Sequence, residues 1–476
     1  MTDLIAQQDS LFEQVSTYAS AYRSSIGEHV GAPQSYGDAL RAFDGPTPES
    51  GRPPDLVIAD PICRAEPGLR ATTGPRFFGW VIGASHPVGV AADWLTSVWG
   101  QNAGNHTAAP AAAAAEAAAA KWLLDLLDLP RGASVGFVTG ATVANFVCLA
   151  AARGAVLRRV GWDVEADGLC GAPPINVLIG EDAHETVSSA LRFLGLGHRR
   201  VIRVATDEAG AIVPAAFKEA LAGCSGPTIA IVQAGQLNTG AFDPFAGIIP
   251  AAHARGAWVH VDGAFGLWAR SCPEKAPLAR GVEEADSWAT DGHKWLQTPY
   301  DCGFAIVRDA DAHRRAMTIA ASYLPPVAAS ERDPSQFVPE LSRRARGFAT
   351  WAMLQHLGRE GLSSLVRRHC RLARRIAVGL SSDPGVRIVN EVVLNQIIVR
   401  FGADEPIEVG DDLTLRTIRR IQENGICFMG GAQWRGRWVM RVSVISSATT
   451  DDDVERAIQA VRDAWRSVRA ATGKPA

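Results

Sequence analysis

Short apolar runs recur through the middle of the chain: INVLIG from 175, RVIRVA from 200, TIAIVQ from 228, WVHVD from 258 and GFAIVR from 303. Each is too short for a buried helix, and helical segments separate them. That alternation predicts a mostly parallel sheet with helices on its faces. A large α/β unit is therefore expected. Ahead of it, residues 1 to about 43 carry helix-like spacing, and Asp44 to Asp55 (DGPTPESGRPPD) can continue neither periodic structure, so it is expected to be a linker or exposed loop. The alanine-rich run Ala108 to Ala120 passes into KWLLDLLDLP, where Trp122, Leu123, Leu126, Leu127 and Leu129 form one apolar face ended by Pro130. Beyond about 340 a long helical stretch leads to strand-like VRIV, LNQIIVRF and WVMRVSVIS, with helical TLRTIRRIQENG between the last two. This predicts a smaller second α/β unit. The expected division is 1–76 as a helical arm and linker, 77–335 as the large domain and 336–476 as the small one.

Composition narrows the field of functions. At 476 residues the chain exceeds what one core organises, and 47% hydrophobic with 20% charged residues is an ordinary globular balance. A net charge of −3, with both signs spread along the chain, gives no footprint for nucleic acid. Eight isolated cysteines, without a C-x-x-C pair or metal-like Cys/His spacing, predict free thiols in a cytoplasm and no metal site. The start MTDLIAQQDS has no secretory character, and the alanine run, broken by Pro110 and Glu116, falls short of a membrane span.

Four places carry candidate chemistry. Lys294 lies in ADSWATDGHKWLQTPYDCGFAIVRD, in a short loop between two strand-like runs. Asp262 ends WVHVD and turns at once into GAFG, at the carboxyl end of a strand, where α/β sheets bind ligands. In VGFVTGATVANF, Thr139, Gly140, Ala141 and Thr142 join a strand to a helix, where free N–H groups and a hydroxyl suit a phosphate. His184, in LIGEDAHETVSSA, also follows a strand and could stack on a planar cofactor. Taken singly, each has a plainer reading: a solvated lysine, a helix-capping aspartate, small residues packed in a turn, a hydrogen-bonded histidine. Pyridoxal 5′-phosphate (PLP) chemistry needs a lysine for a Schiff base and a carboxylate beside the protonated ring nitrogen together.

The order TGATVAN, DAHETV, VDGAFG, DGHKWL resembles the group II PLP-dependent amino-acid decarboxylases, which include the aromatic L-amino-acid and glutamate decarboxylases. The likeness runs from about Phe77 to the carboxyl terminus. It implies a fold type I enzyme with a seven-stranded-type sheet, Lys294 as the Schiff-base residue, Asp262 as the pyridinium partner, His184 on one face of the ring and Ala264 on the other. Ala141, Thr142 and His293 would hold phosphate, Gly140 would allow close approach, and Asp291 stands where an asparagine is common. Tyr323 in SYLPP aligns with the tyrosine that protonates Cα and favours an amine product over an aldehyde. Arg343 and Arg344 match a paired arginine that binds a carboxylate or braces an interface. The resemblance also implies a homodimer with a shared active site, residues 1–76 forming a dimer contact.

Some positions depart from the family. Gln236 and Leu237 replace a threonine pair, which assigns the ring oxygen to another polar group such as Asn238, and Val143 replaces an acidic residue. In WGQNAGNHTAAP, aromatic decarboxylases supply apolar bulk to the neighbouring subunit's pocket, including a phenylalanine at Gly104; this chain offers Asn102, Asn105 and His106. Trp80 and Trp99 could still pack against an aromatic substrate. The expectation is decarboxylation of an L-amino acid, aromatic by preference. The alternatives are PLP-dependent aldehyde synthesis or transamination, and a catalytically silent protein of the same fold.

Overall fold

The five apolar runs, joined by SVGFV and SWATD, form one sheet: β1 (Ser134–Val138), β2 (Asn176–Gly180), β3 (Ile202–Val204), β4 (Thr228–Gln233), β5 (Trp258–Asp262), β6 (Ser287–Asp291) and β7 (Gly303–Val307). The computed structural model describes residues 2–28, 33–319 and 331–471. The strand order is β1-β7-β6-β5-β4-β2-β3, with β3, β2, β4, β5 and β6 mutually parallel and β7 antiparallel to both neighbours. The parallel strands bring Gly180, Gln233, Asp262 and Asp291 to one edge of the sheet. That edge is where the site forms.

Helix Ala141–Arg158 springs from the end of β1 and is apolar nearly all round, because it packs between the sheet and helices Glu185–Phe193 and Ala310–Met317. Among the described residues it is the one helix long and apolar enough to cross a membrane, yet it lies largely buried against the sheet. The opposite face carries Phe245, Ile248 and Ile249 together with Leu123 from the alanine-rich helix Pro110–Leu126 and Leu127 just after it.

The small unit is an antiparallel sheet of order β10-β11-β9-β8, built from β8 (Val386–Ile388), β9 (Gln396–Phe401), β10 (Gly430–Trp434) and β11 (Arg437–Ser443). Helices Ile407–Asn424 and Asp451–Ala470 pack with it. The chain just ahead of the large unit is sewn into the small one: Arg76 pairs with Asp453 at 2.7 Å, and Phe78 N–H donates to Phe428 O at 2.8 Å. Helix Gly347–Ser381 is interrupted at Gly358, whose φ is 57°. Its residues Met353, Leu362 and Val366 join the large core, while Leu372, Ile376 and Leu380 join the small one. The two cores therefore meet inside this helix, beyond the boundary at 336 expected from sequence, because a single long amphipathic helix serves both.

The amino-terminal arm comprises helices Thr2–Ser25, Tyr36–Phe43 and Pro54–Ala65, and the second and third bury none of their own residues. The expected loop is present over 44–53, but a helix begins at Pro54, since proline is at home in a first helical turn. All eight cysteines are free thiols.

Candidate active site

The ends of β1, β4, β5 and β6 surround a cavity of about 540 Å³, lined by Thr139, Gly140, Ala141, Thr142, His184, Asp262, Ala264, Asp291, His293 and Lys294 among others. Residues far apart in sequence meet here because parallel strands deliver their carboxyl ends to one edge.

Lys294 follows β6 in a tight turn. Its ammonium lies 2.7 Å from Asp291 Oδ2, and Asp291 Oδ1 accepts the Ala141 N–H at 2.6 Å. His293 accepts the Cys302 N–H on Nδ1 at 3.3 Å, so the proton of the neutral ring sits on Nε2, 3.5 Å from Asp291 Oδ1. Burial holds that imidazole below its ordinary pKa, with Lys294 acting in the same direction and Asp291 opposing it. Two glycines leave room for these groups. A Cβ on Gly140 would meet His293 Cε1 at 3.1 Å and Asp291 Oδ1 at 3.3 Å. Gly83, at φ 71°, brings its backbone so close to the lysine loop that a Cβ would overlap His293 O. The turn Thr139–Thr142 opens helix Ala141–Arg158, which has no side-chain cap and so leaves N–H donors for an anion.

Asp262 is 4% exposed, and Ala264 N–H donates to its Oδ1 at 3.3 Å. Burial raises its carboxyl pKa, while His184 and Lys294 partly offset the effect. A cationic ring nitrogen is the kind of partner that keeps such a carboxylate ionised. His184 caps helix Glu185–Phe193: its Nδ1 accepts from Thr186 N–H at 3.1 Å and lies 2.8 Å from Thr186 Oγ1. Burial depresses its pKa, so the ring is neutral at neutral pH and carries its proton on Nε2. A buried carboxylate, a lysine, a neutral histidine and a helix amino terminus around one cavity fit PLP. Lys294 would carry its carbonyl, Asp262 its ring nitrogen, and the 139–142 turn its phosphate.

Arg441, on β11, also lines the cavity, and sequence reading passed it over. Among the described residues no carboxylate pairs with it, and burial pushes its pKa down to about 10. It lies in β11, whose residue pattern says nothing of what its side chain meets. Trp80, Val81, Ile82, Leu237, Phe265 and Tyr300 supply the remaining apolar and aromatic wall. Trp80 is 49% exposed and sits 5.4 Å from the Phe428 ring, which itself stacks on Phe77 at 4.9 Å.

Other residues singled out from sequence lie elsewhere. Asn238 is buried but outside the cavity wall: Gln236 Oε1 accepts its N–H at 2.6 Å and folds the turn so that Leu237 faces the cavity instead. Asn102 accepts the Arg343 N–H at 3.0 Å, Asn105 caps the turn at Ala108, and the His106 ring contacts Asp333 and Glu331. None of these three lines the cavity of its own chain. Trp99 packs edge-on against Phe348 at 4.9 Å. Arg343 is buried on Glu116 at 2.6 and 2.8 Å and Arg344 pairs with Asp93, so both brace the protein. Tyr323 lies outside the described residues.

This fold and site define a fold type I, PLP-dependent enzyme. The chain belongs to the pyridoxal-dependent decarboxylase family: residues 37–401 match the pyridoxal-dependent decarboxylase conserved domain. It is a carboxy-lyase of amino-acid metabolism, and its cofactor is PLP. Tryptophan decarboxylase 1 of Oryza sativa subsp. japonica is 27% identical over 91% of this chain and 87% of its own. Phenylacetaldehyde synthase of Arabidopsis thaliana is 27% identical over 86% and 85%. The crystal structure of Oryza sativa TDC with PLP and tryptamine superposes with a TM-score of 0.91 at 24% identity, covering 97% of this chain and 98% of that one.

Proposed function

We propose that the protein decarboxylates an L-amino acid, preferentially an aromatic one, to the amine and CO2. The observation carrying this reading is the convergence of Lys294, Asp262, His184 and the unpaired Arg441 on one cavity with an aromatic wall. Bound there, PLP supplies an electron sink for the pair left on Cα when CO2 departs.

The chain's own residues do the rest. Asp262 keeps the ring nitrogen protonated. The neutral His184 presents an N–H on Nε2 to the reacting face. Arg441, cationic at any physiological pH, pairs with a substrate carboxylate. Trp80, Phe265 and Tyr300 offer surface to an aromatic side chain. Tyr323 is assigned as the proton donor to Cα on the strength of its alignment alone.

A homodimer is part of this reading. Phe12, Tyr36, Leu40, Phe43, Leu56 and Val57 of the arm, and Trp94, Leu95, Val98 and Trp99 beyond it, are exposed apolar side chains that a second copy would cover. The 102–106 segment, turned away from its own cavity, could then reach the partner's. Free thiols support a cytoplasmic location.

The second reading is aldehyde synthesis, favoured by the similarity to phenylacetaldehyde synthase. A panel of L-amino acids decides between them. Decarboxylation predicts CO2 and amine in equal amounts. Aldehyde, ammonia and hydrogen peroxide formed in step with CO2, with dioxygen consumed as the oxidant, would give the second reading instead.

A further inference from the structure

Asp291 sits where the cofactor's phosphate and the reactive lysine come together, and it holds both of their protein partners. The residue is 2% exposed. Its Oδ1 accepts the N–H of Ala141, the first residue of the helix whose amino terminus forms the anion cradle, at 2.6 Å. Its Oδ2 lies 2.7 Å from Lys294 Nζ. It cannot easily withdraw. Its own N–H donates to Ala264 O at 3.0 Å, and Trp268 Nε1 donates to its carbonyl at 2.9 Å, pinning the strand end. The groups facing it are Lys294, the neutral His293, Tyr300, Cys302 and, across the cavity, Asp262. The nearby Arg346 is taken by Asp301 at 2.8 Å. Among the described residues Asp291 pairs with Lys294 and His293 and with no arginine.

We propose that Asp291 is a built-in competitor for the phosphate, which sets a ceiling on how tightly this enzyme holds its cofactor. A carboxylate that occupies the Ala141 N–H and the Lys294 ammonium mimics an anion in the cradle and stabilises the empty enzyme. On loading, it surrenders both partners and stands as a buried negative charge beside a second one. A neutral amide of the same shape could keep an oxygen on the Ala141 N–H without the repulsion. The consequence is a holoenzyme that exchanges PLP readily and discriminates only moderately between phosphorylated and unphosphorylated forms of the cofactor.

This inference rests on the 139–142 turn taking the phosphate, and the test separates the two. Equilibrium titration of the full-length apoenzyme with PLP and with pyridoxal, followed by absorbance and intrinsic fluorescence, gives two dissociation constants for each variant. Asp291→Asn is expected to bind PLP at least about tenfold more tightly than wild type and to raise the preference for PLP over pyridoxal by a similar factor. Asp291→Ser serves the same purpose should the asparagine variant fold poorly, with circular dichroism as the check. PLP binding that is unchanged or weaker in folded variants overturns the role of Asp291 while leaving the cofactor site intact. A wild-type protein that binds no PLP overturns the site itself.

Discussion

Buried charge governs what the site residues can do. Arg441 faces the cavity without a carboxylate of its own, a costly arrangement unless a ligand supplies one. Because its pKa falls only to about 10, it stays cationic in the working range. Arg441→Met is therefore expected to raise KM by at least about tenfold, the scale of a lost charge-assisted hydrogen bond, with the cofactor's visible absorption unchanged. Steady-state kinetics and a spectrum check both parts. His184 gives a second prediction. Burial lowers its pKa below the ordinary 6.5, so the required neutral form persists into mild acid and is lost only as pH falls through the depressed value. The acid limb of kcat/KM should accordingly lie below pH 6.5; a limb above it would assign the titration to another group. That Lys294, Asp262, His184 and the 139–142 turn gather at one cavity was legible in the sequence, because strand ends announce their places. Arg441 was not, since nothing in the residue pattern of β11 says which polar side chain meets a cavity.

At the scale of elements, sharp junctions bring the site together and buried pairs hold those junctions. Glu116, on the alanine-rich helix, receives both Arg343 contacts, and the Arg343 guanidinium also donates to Phe137 O at 3.2 Å, tying helix Pro110–Leu126 to β1. Replacing Glu116 with Gln leaves an unneutralised guanidinium in the interior and should cost about 3–5 kcal/mol. A lower denaturant midpoint with an unchanged slope would show it. The same pair explains why the alanine run carries a glutamate. Apolar runs placed most strands of the large sheet. They missed β10, whose GGAQW offers no alternation and which forms by pairing with β11 across a two-residue turn. They also missed helix Pro54–Ala65, where prolines at 53, 54 and 61 masked a short helix among turn signals.

For the whole molecule, two cores share one interrupted helix, and three fully buried histidines lie within or between them. His260 bridges Asn145 and Ser287, His313 lies between Ser134 and Phe337 O, and His369 accepts from Trp295 and contacts Ser446 O. Burial pushes each pKa down to about 3. Below pH 6.5 the unfolded chain takes up protons that the folded chain refuses, so stability falls as pH drops toward 3. Asp243, pushed up to about 7 by burial, works the other way, losing stability as pH rises from 3.8 to 7. Asp262, also raised by burial, adds to Asp243, while His184 and His293, also lowered, add to the three histidines. With five of these groups against two, the thermal midpoint should fall between pH 6 and 4.5; a flat profile would contradict the neutral assignment. The exposed arm predicts a solution mass of twice the 50.6 kDa chain, readable by light scattering.

Lys294 is proposed to carry PLP, and one measurement tests this directly. Borohydride reduction of the holoenzyme, followed by proteolysis and mass spectrometry, should fix the phosphopyridoxyl group on the peptide containing DGHKWL, at Lys294. A label on another lysine, or none in a protein that binds PLP, would contradict it.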